Sequence, residues 1–309
     1  MDFNTAYTSF INHLKVKNYA PSTQHHYSDM LKIFNGYLEK REICDVRQLT
    51  KKDILGYQER ISKEKISRST QALRIRAVKR FYEYLVEEDL ILINPCEGIV
   101  EMPGGHTLPK IILTPSEAER IIQQPNISIM VGIRDRAILE LLYSTGIRVG
   151  ECEALTVYDV DTEERLVHIR HGKGGKERIV PMGTDAAKWI KEYQQRARPR
   201  SNRFKPHVIS LFLSINGNPI NHKMIRSMVQ KYIKQAKIKK KGISCHAFRH
   251  LFATELIRNG ADIVSVQKLL GHKDIRSTLV YTKVVPIDIK ETHKKTHPRE
   301  RHTEAIIDP

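Results

Sequence analysis

Residues 165–181, RLVHIRHGKGGKERIVP, hold the clearest strand signal in a chain that otherwise reads as helix. Arg165 to Arg170 alternate as a strand does, the Gly-rich turn HGKGGK follows, and Arg178 to Val180 return as an antiparallel partner. The fold class expected is therefore mainly α with a small antiparallel β-sheet. The glycines of the turn let the backbone approach a ligand closely, and the mobile ammonium of Lys173 could reach a leaving oxygen as a general acid. A phosphate-binding P-loop does not fit. Neither Gly172-Lys173 nor Gly175-Lys176 has a glycine five residues before its own, and no Ser or Thr follows either lysine.

Upstream of the hairpin, the first hundred residues show helical periodicity. Phe3, Tyr7, Phe10, Ile11 and Leu14 fall on one face. After the break at Tyr19-Ala20-Pro21, Ser22 is the expected N-cap of a second helix that buries Tyr27, Met30, Leu31, Phe34 and Leu38. Thr50 caps a third, over Lys51 to Ile61. A fourth runs from near Ser67 to about Glu88, burying Leu73, Ala77, Val78, Phe81 and Leu85 while exposing Arg74, Arg76, Lys79 and Arg80 as a basic side. Pro95, Pro103, Gly104, Gly105 and Pro109 then mark a linker. The expected division is a helical domain over 1–104 and a second domain over 105–309, whose tail begins at about 284.

In the second domain, Thr114 and Ser116 precede a short helix. Arg134 to Tyr143 form another, with Ala137, Ile138, Leu141 and Leu142 inward and Gly146 as its stop. From Asp185 onward the chain reads as helix again.

At 309 residues, with 40% hydrophobic and 28% charged residues, the composition is that of a folded protein with room for two cores. No apolar run approaches a membrane span and the start lacks signal-peptide features, so no membrane partner and a cytoplasmic, nucleoid-associated location are expected. Cys44, Cys96, Cys152 and Cys245 lie far apart without zinc-ligand spacing, so they read as reduced thiols and no metal site is expected. The net charge of +17 calls for a polyanionic partner. It is concentrated late: residues 1–200 carry 31 Lys and Arg against 27 Asp and Glu, an excess of 4, and 201–309 carry 21 against 8, an excess of 13. Charge alone fits a ribosomal or RNA-binding protein equally well.

The reaction is read from side chains. Breaking a DNA phosphodiester by a side-chain nucleophile requires charge stabilisation at the phosphoryl oxygens, a positioned attacking oxygen and protonation of the leaving 5′ oxygen. Arg148 and Arg249 suit the first, because a guanidinium is always charged and its planar fork matches phosphate. His246 lies three residues before Arg249 and shares its helical face, with Phe248 and Phe252 directed to the core. His272 follows a helix stop at Gly271, and Tyr281 sits on the next short helix. A tyrosine that attacks a phosphodiester makes another phosphodiester, conserving the bond energy for rejoining with no cofactor. Each residue alone has an ordinary packing or surface role; together they cover the reaction.

The stretches YSTGIRVGE, HGKGGKERIVPM, HAFRHLFAT and LLGHKDIRSTLVYT resemble, in order, those of the tyrosine recombinase (phage integrase) family, and are most similar to its Xer branch. The resemblance implies a two-domain DNA clamp, a helical bundle plus an α+β catalytic domain. It implies Tyr281 as the nucleophile of a 3′-phosphotyrosyl link, Arg148 and Arg249 on the scissile phosphate, and Lys173 as the acid. His246 would assist proton transfer at the tyrosine, His272 would hydrogen-bond the phosphate, and Glu151 would orient its neighbours. The expected partner is double-stranded DNA with paired recombination sites, bound by a homotetramer or heterotetramer through a four-way junction. The task would be chromosome dimer resolution or mobile-element integration and excision. Lambda-type integrases carry an arm-binding domain ahead of the bundle, which here begins at once. The end, YTKVVPIDIKETHKKTHPRE, resembles the Xer tail that docks into a neighbouring subunit, although Pro286 follows the tyrosine closely. Type IB topoisomerase-like relaxation and a non-catalytic DNA-binding protein are the alternatives.

Overall fold

A computed structural model describes residues 1–101, 113–170, 177–198, 205, 207–240, 242–272 and 274–282. The chain divides into two compact units, Met1–His106 and Thr107–Pro309. The boundary expected at 104/105 falls among residues 102–112, outside the described residues.

The first unit consists of four helices, α1 (Phe3–Val16), α2 (Pro21–Glu39), α3 (Lys51–Lys63) and α4 (Arg68–Glu87), with a 3-10 turn at Val46–Gln48. Their faces meet in an aromatic centre. Phe10 stands 5.6 Å from Phe81, and Phe34 stands 4.8 Å from Tyr57, both ring pairs edge-on. Asp2 caps α1 and Ser67 caps α4, each accepting a backbone amide, while the Asp53 carboxylate accepts both the amide and the hydroxyl of Thr50 at the start of α3.

Two readings of this unit are corrected. Ser22 is not a cap: α2 begins two residues earlier than a Ser22 cap would place it, with Ala20 at the N-cap and Pro21 in the first turn, where a fixed φ and a missing N–H cost nothing. On α4 the buried stripe runs through Ala72, Ile75, Val78, Phe81, Tyr82 and Leu85, which turns Leu73 outward and draws Arg74 in, its side chain only 12% exposed. Lys79 and Arg80 are half-buried, so of the four cations only Arg76 stands exposed. Cys96 and Ile99 are buried in this unit's core, so the first part of the expected linker belongs to the bundle.

The second unit comprises α5 (Pro115–Ile122), α6 (Met130–Thr145), α7 (Val149–Ala154), strands β1 (Val160–Asp161), β2 (Leu166–Ile169) and β3 (Arg178–Pro181), then α8 (Thr184–Glu192), α9 (His222–Gln235), α10 (Cys245–Arg258), α11 (Ile263–Leu270) and α12 (Arg276–Thr282). Thr114 and Glu117 form the capping box of α5, so Ser116 lies inside that helix. The antiparallel sheet has the order β1-β2-β3, with Val167 opposite both Val160 and Val180. Strand β1 had no two-residue alternation to announce it; pairing with β2 makes it a strand. The helices α6 and α10 carry the centre of the core, including Ile138, Leu141, Phe248 and Leu251.

Gly146 ends α6 at a φ of +60°, and a β-carbon there would come within 2.5 Å of the Phe252 ring. Both the left-handed turn and the close approach require glycine.

Candidate active site

Three arginines converge on the C-terminal end of α11. A helix leaves its last carbonyls without intrahelical partners and carries partial negative charge there, so guanidinium groups fit both demands. Arg178, the first residue of β3, donates from Nε to the Leu269 carbonyl at 2.9 Å. Arg249 of α10 donates from Nη2 to the Leu270 carbonyl at 2.6 Å and from Nη1 to the Gly146 carbonyl at 2.8 Å. Arg148 donates from Nη1 to Leu270 at 3.4 Å and from Nη2 to Gly271 at 3.2 Å. Gly271 caps α11 at a φ of +62°, and a β-carbon would press against the Arg178 guanidinium at 3.0 Å.

One carboxylate serves this cluster. Glu151, in the first turn of α7, accepts the Arg148 backbone amide at 2.8 Å and its Nη1 at 2.8 Å, and takes both terminal nitrogens of Arg178 at 3.0 and 2.8 Å. Burial pushes its pKa up, but hydrogen bonds from Arg178 and the Arg148 amide outweigh that and hold the carboxyl below its usual range. Arg249 is 5% exposed. Its pKa is pulled down to about 10 by burial and then by Arg148, so it is still a cation at neutral pH.

His272 follows the cap, and its Nδ1 lies 2.9 Å from the Thr278 hydroxyl on α12. Its pKa is pulled down to about 4, first by burial and then by Arg249, Arg148 and Arg178, so the ring is neutral at physiological pH. Gln267 fixes the backbone here, accepting the His272 amide on its carbonyl and donating from Nε2 to the His272 carbonyl. Tyr281 packs with Ala253, Ile257, Val266 and Leu270 and is 3% exposed. Burial raises its pKa, while Arg249 and Arg148 pull the other way.

The structure therefore brings Arg148, Arg249, His272 and Tyr281 around one helix end, with Glu151 beneath. His246, on the same helix as Arg249, keeps part of its surface open to solvent, and the desolvation of the rest, followed by Arg249, Arg226 and Arg148, lowers its pKa. Lys173 lies outside the described residues, as does the tail beyond Thr282. Among the described residues no group of three or more His, Cys, Asp or Glu is placed to hold a metal ion. Phe248 is buried as expected, while Phe252 is only partly covered.

Two participants escaped the sequence reading. His250 places Nδ1 2.9 Å from the Tyr281 hydroxyl, and its signal was a second histidine one helical turn after His246 in HAFRH. Arg178 read only as a strand residue, since its partner Glu151 is 27 positions away.

On the first unit, the α4 cations are held locally. Arg74 pairs with Glu64 at 2.5 Å, Arg76 with Glu101 at 2.7 Å, and Arg80 with Glu83 and Glu87 at 3.1 and 3.2 Å. Lys79 donates to the Ile99 carbonyl at 3.0 Å.

The Phage integrase family matches residues 112–286, and the Phage integrase N-terminal SAM-like domain matches residues 8–89. Tyrosine recombinase XerC of Listeria welshimeri is 36% identical over 294 residues, covering 94% of this chain and 96% of the relative. Its namesake in Listeria innocua is 37% identical over 286 residues, covering 92% and 94%. Among solved structures, the Tn1549 transposon integrase in complex with transposon right end DNA shares the fold, with a TM-score of 0.75 at 22% identity over 96% of this chain and 99% of that one. With one match spanning more than half the chain and XerC relatives spanning nearly all of it, this chain belongs to the phage integrase family, among its tyrosine recombinases.

Proposed function

We propose that this chain is an Xer-like site-specific recombinase that cuts and rejoins double-stranded DNA through a 3′-phosphotyrosyl link at Tyr281. The observation that supports this most is the arginine cluster. Arg148 and Arg249 end on the same carbonyl, that of Leu270, whose side chain packs in one cluster with Tyr281. A phosphate held by both guanidinium groups lies within the field of Arg249 and Arg148, which already pulls against the rise that burial imposes on the phenol's pKa. Arg148 and Arg249 hold the scissile phosphate, His272 offers it a neutral hydrogen bond, and Lys173 protonates the leaving 5′ oxygen. His246 assists at the phosphate or the tyrosine, and Glu151 orients Arg148.

On this reading the two domains clamp duplex DNA, with Arg74, Arg76, Lys79 and Arg80 on its backbone, and four subunits exchange strands between paired sites. Among the described residues no helix is long and apolar enough to cross a membrane. The proposed place of action is the cytoplasm, on the nucleoid, and the proposed task is chromosome dimer resolution, which the XerC relatives favour over element mobility. A nicked suicide substrate tests the chemistry. The wild type should form a denaturant-resistant adduct, and Tyr281→Phe should form none while still binding DNA. An adduct in the Phe variant overturns the assignment of the nucleophile.

A further inference from the structure

The imidazole bonded to Tyr281 is that of His250, 2.9 Å from hydroxyl to Nδ1, with ring centroids 5.6 Å apart and planes inclined at 55°. His246, one turn earlier on α10, is exposed. Water is a poor alternative acceptor, because the nucleophile is 3% exposed and its apolar neighbours close around it. A phenol buried this way loses its proton only to a group already in contact with it.

We propose that His250 is a catalytic residue whose Nδ1 takes the phenolic proton of Tyr281 during DNA cleavage and gives it back during rejoining. The inference rests on Tyr281 being the nucleophile. In cleavage the Tyr281 O–H bond breaks and its proton passes to His250 Nδ1. The phenolic oxygen bonds to phosphorus, and the bond from phosphorus to the 5′ oxygen breaks with its electron pair on that oxygen, which takes a proton from the acid, Lys173 in this reading. Rejoining runs each step backwards: the 5′ hydroxyl attacks, the tyrosyl–phosphorus bond breaks, and His250 returns the proton to the phenolate.

The surroundings of His250 suit an acceptor that waits uncharged. Among the described residues, those that act on it are His246 and Arg249 on α10, His272 after α11 and Tyr281 on α12. Burial, His246 and Arg249 all lower its pKa, so the ring is neutral and free to accept. A phosphate dianion-like transition state arriving between Arg249 and Tyr281 reverses that field, making the ring a better base when substrate is in place. Proton removal is thereby tied to DNA binding.

The test is single-turnover cleavage of the nicked substrate by the full-length protein between pH 5 and 9. Wild-type cleavage should rise with pH and level off near neutrality. His250→Asn should cleave at least about 100-fold more slowly at pH 7, the usual scale of general base catalysis, with a rate that keeps climbing to pH 9. His246→Asn should slow cleavage without changing the shape of the profile. Wild-type rate and shape in His250→Asn, or loss of the plateau in His246→Asn alone, overturns the proposal. An adduct in Tyr281→Phe would instead overturn the nucleophile. Because His250→Asn could fail to fold, nitrogen NMR of histidine-labelled wild type gives a second reading. Nδ1 of His250 should be unprotonated at pH 7 and shift in Tyr281→Phe, and a protonated Nδ1 at that pH overturns the proposal.

Discussion

Arginines gather at two places in this molecule and are held there in different ways. On α4 three of them are matched by carboxylates: Arg74 by Glu64, Arg76 by Glu101, Arg80 by Glu83 and Glu87. At the end of α11, three arginines have one carboxylate among them, Glu151, which bonds Arg148 and Arg178, while the remaining guanidinium hydrogen bonds, those of Arg249 included, go to carbonyl oxygens. Carbonyls fix a guanidinium's direction without cancelling its charge. The first arrangement matches charge with charge, and at Arg76, the exposed member, the pair is exchangeable, since a surface ion pair contributes about 0 to 1 kcal/mol and can trade its acid for a phosphate. The second is rigid and holds uncompensated positive charge in a partly buried site, a standing demand for an anion.

The comparison breaks most visibly at Arg249. Arg249→Ala should lower cleavage of a nicked substrate by roughly 1,000-fold or more, and Arg249→Lys should restore little of it, because an ammonium cannot span Gly146 and Leu270 and still face a phosphate. Substantial activity in the lysine variant would mean that charge, and not the fixed fork, is what matters. Glu151→Gln comes next. Removing the charge from a carboxylate 4% exposed beneath two arginines should cost about 3 to 5 kcal/mol, measured by chemical denaturation. The sign of its pH dependence follows from the lowered pKa: the carboxylate's contribution is present above the unfolded value and is lost as pH falls through the folded one. Wild-type stability should therefore fall in acid more steeply than that of Glu151→Gln.

Much of this was legible in the sequence, and the gaps have physical causes. The helices of the bundle, the Gly146 stop and the β2–β3 hairpin were readable because period, capping and turn chemistry are local. That Arg148, Arg249, His272 and Tyr281 would lie together was readable because their order in the chain matches a family. Ser22 misled because proline at a helix start competes with a serine cap one residue later. Leu73 and Arg74 misled because a one-residue error in helical phase exchanges a buried side chain for an exposed one. Arg178 and His250 were missed because a partner 27 or 31 positions away leaves no trace in spacing.

His272 gives a smaller, pH-dependent effect. With its pKa lowered to about 4 in the folded protein, the unfolded chain takes up the proton first as pH falls below its ordinary value near 6.5. Stability should be lost between those two pH values, and His272→Gln should flatten that part of the curve. An unchanged slope in the glutamine variant would show that burial near the arginines is weaker in solution than in the structure.

The smallest expected effect sharpens the comparison from the other side. Arg76 is 55% exposed on its side chain and pairs with Glu101, so Arg76→Ala should shift folding stability by no more than about 0.5 kcal/mol. If Arg76 gives up Glu101 for a DNA phosphate, the variant should bind more weakly by a similar factor on all sequences. The slope of log affinity against log salt should fall by about 0.9, the release expected for one phosphate contact. The rate of cleavage from the bound state should not change. A full loss of that slope increment with no change in bound-state cleavage assigns α4 to holding the duplex and leaves the chemistry to the arginines at the end of α11. A large fall in bound-state cleavage would instead mean that the exchangeable pair of the bundle helps set the geometry of the reaction, and the distinction between the two regions would fail.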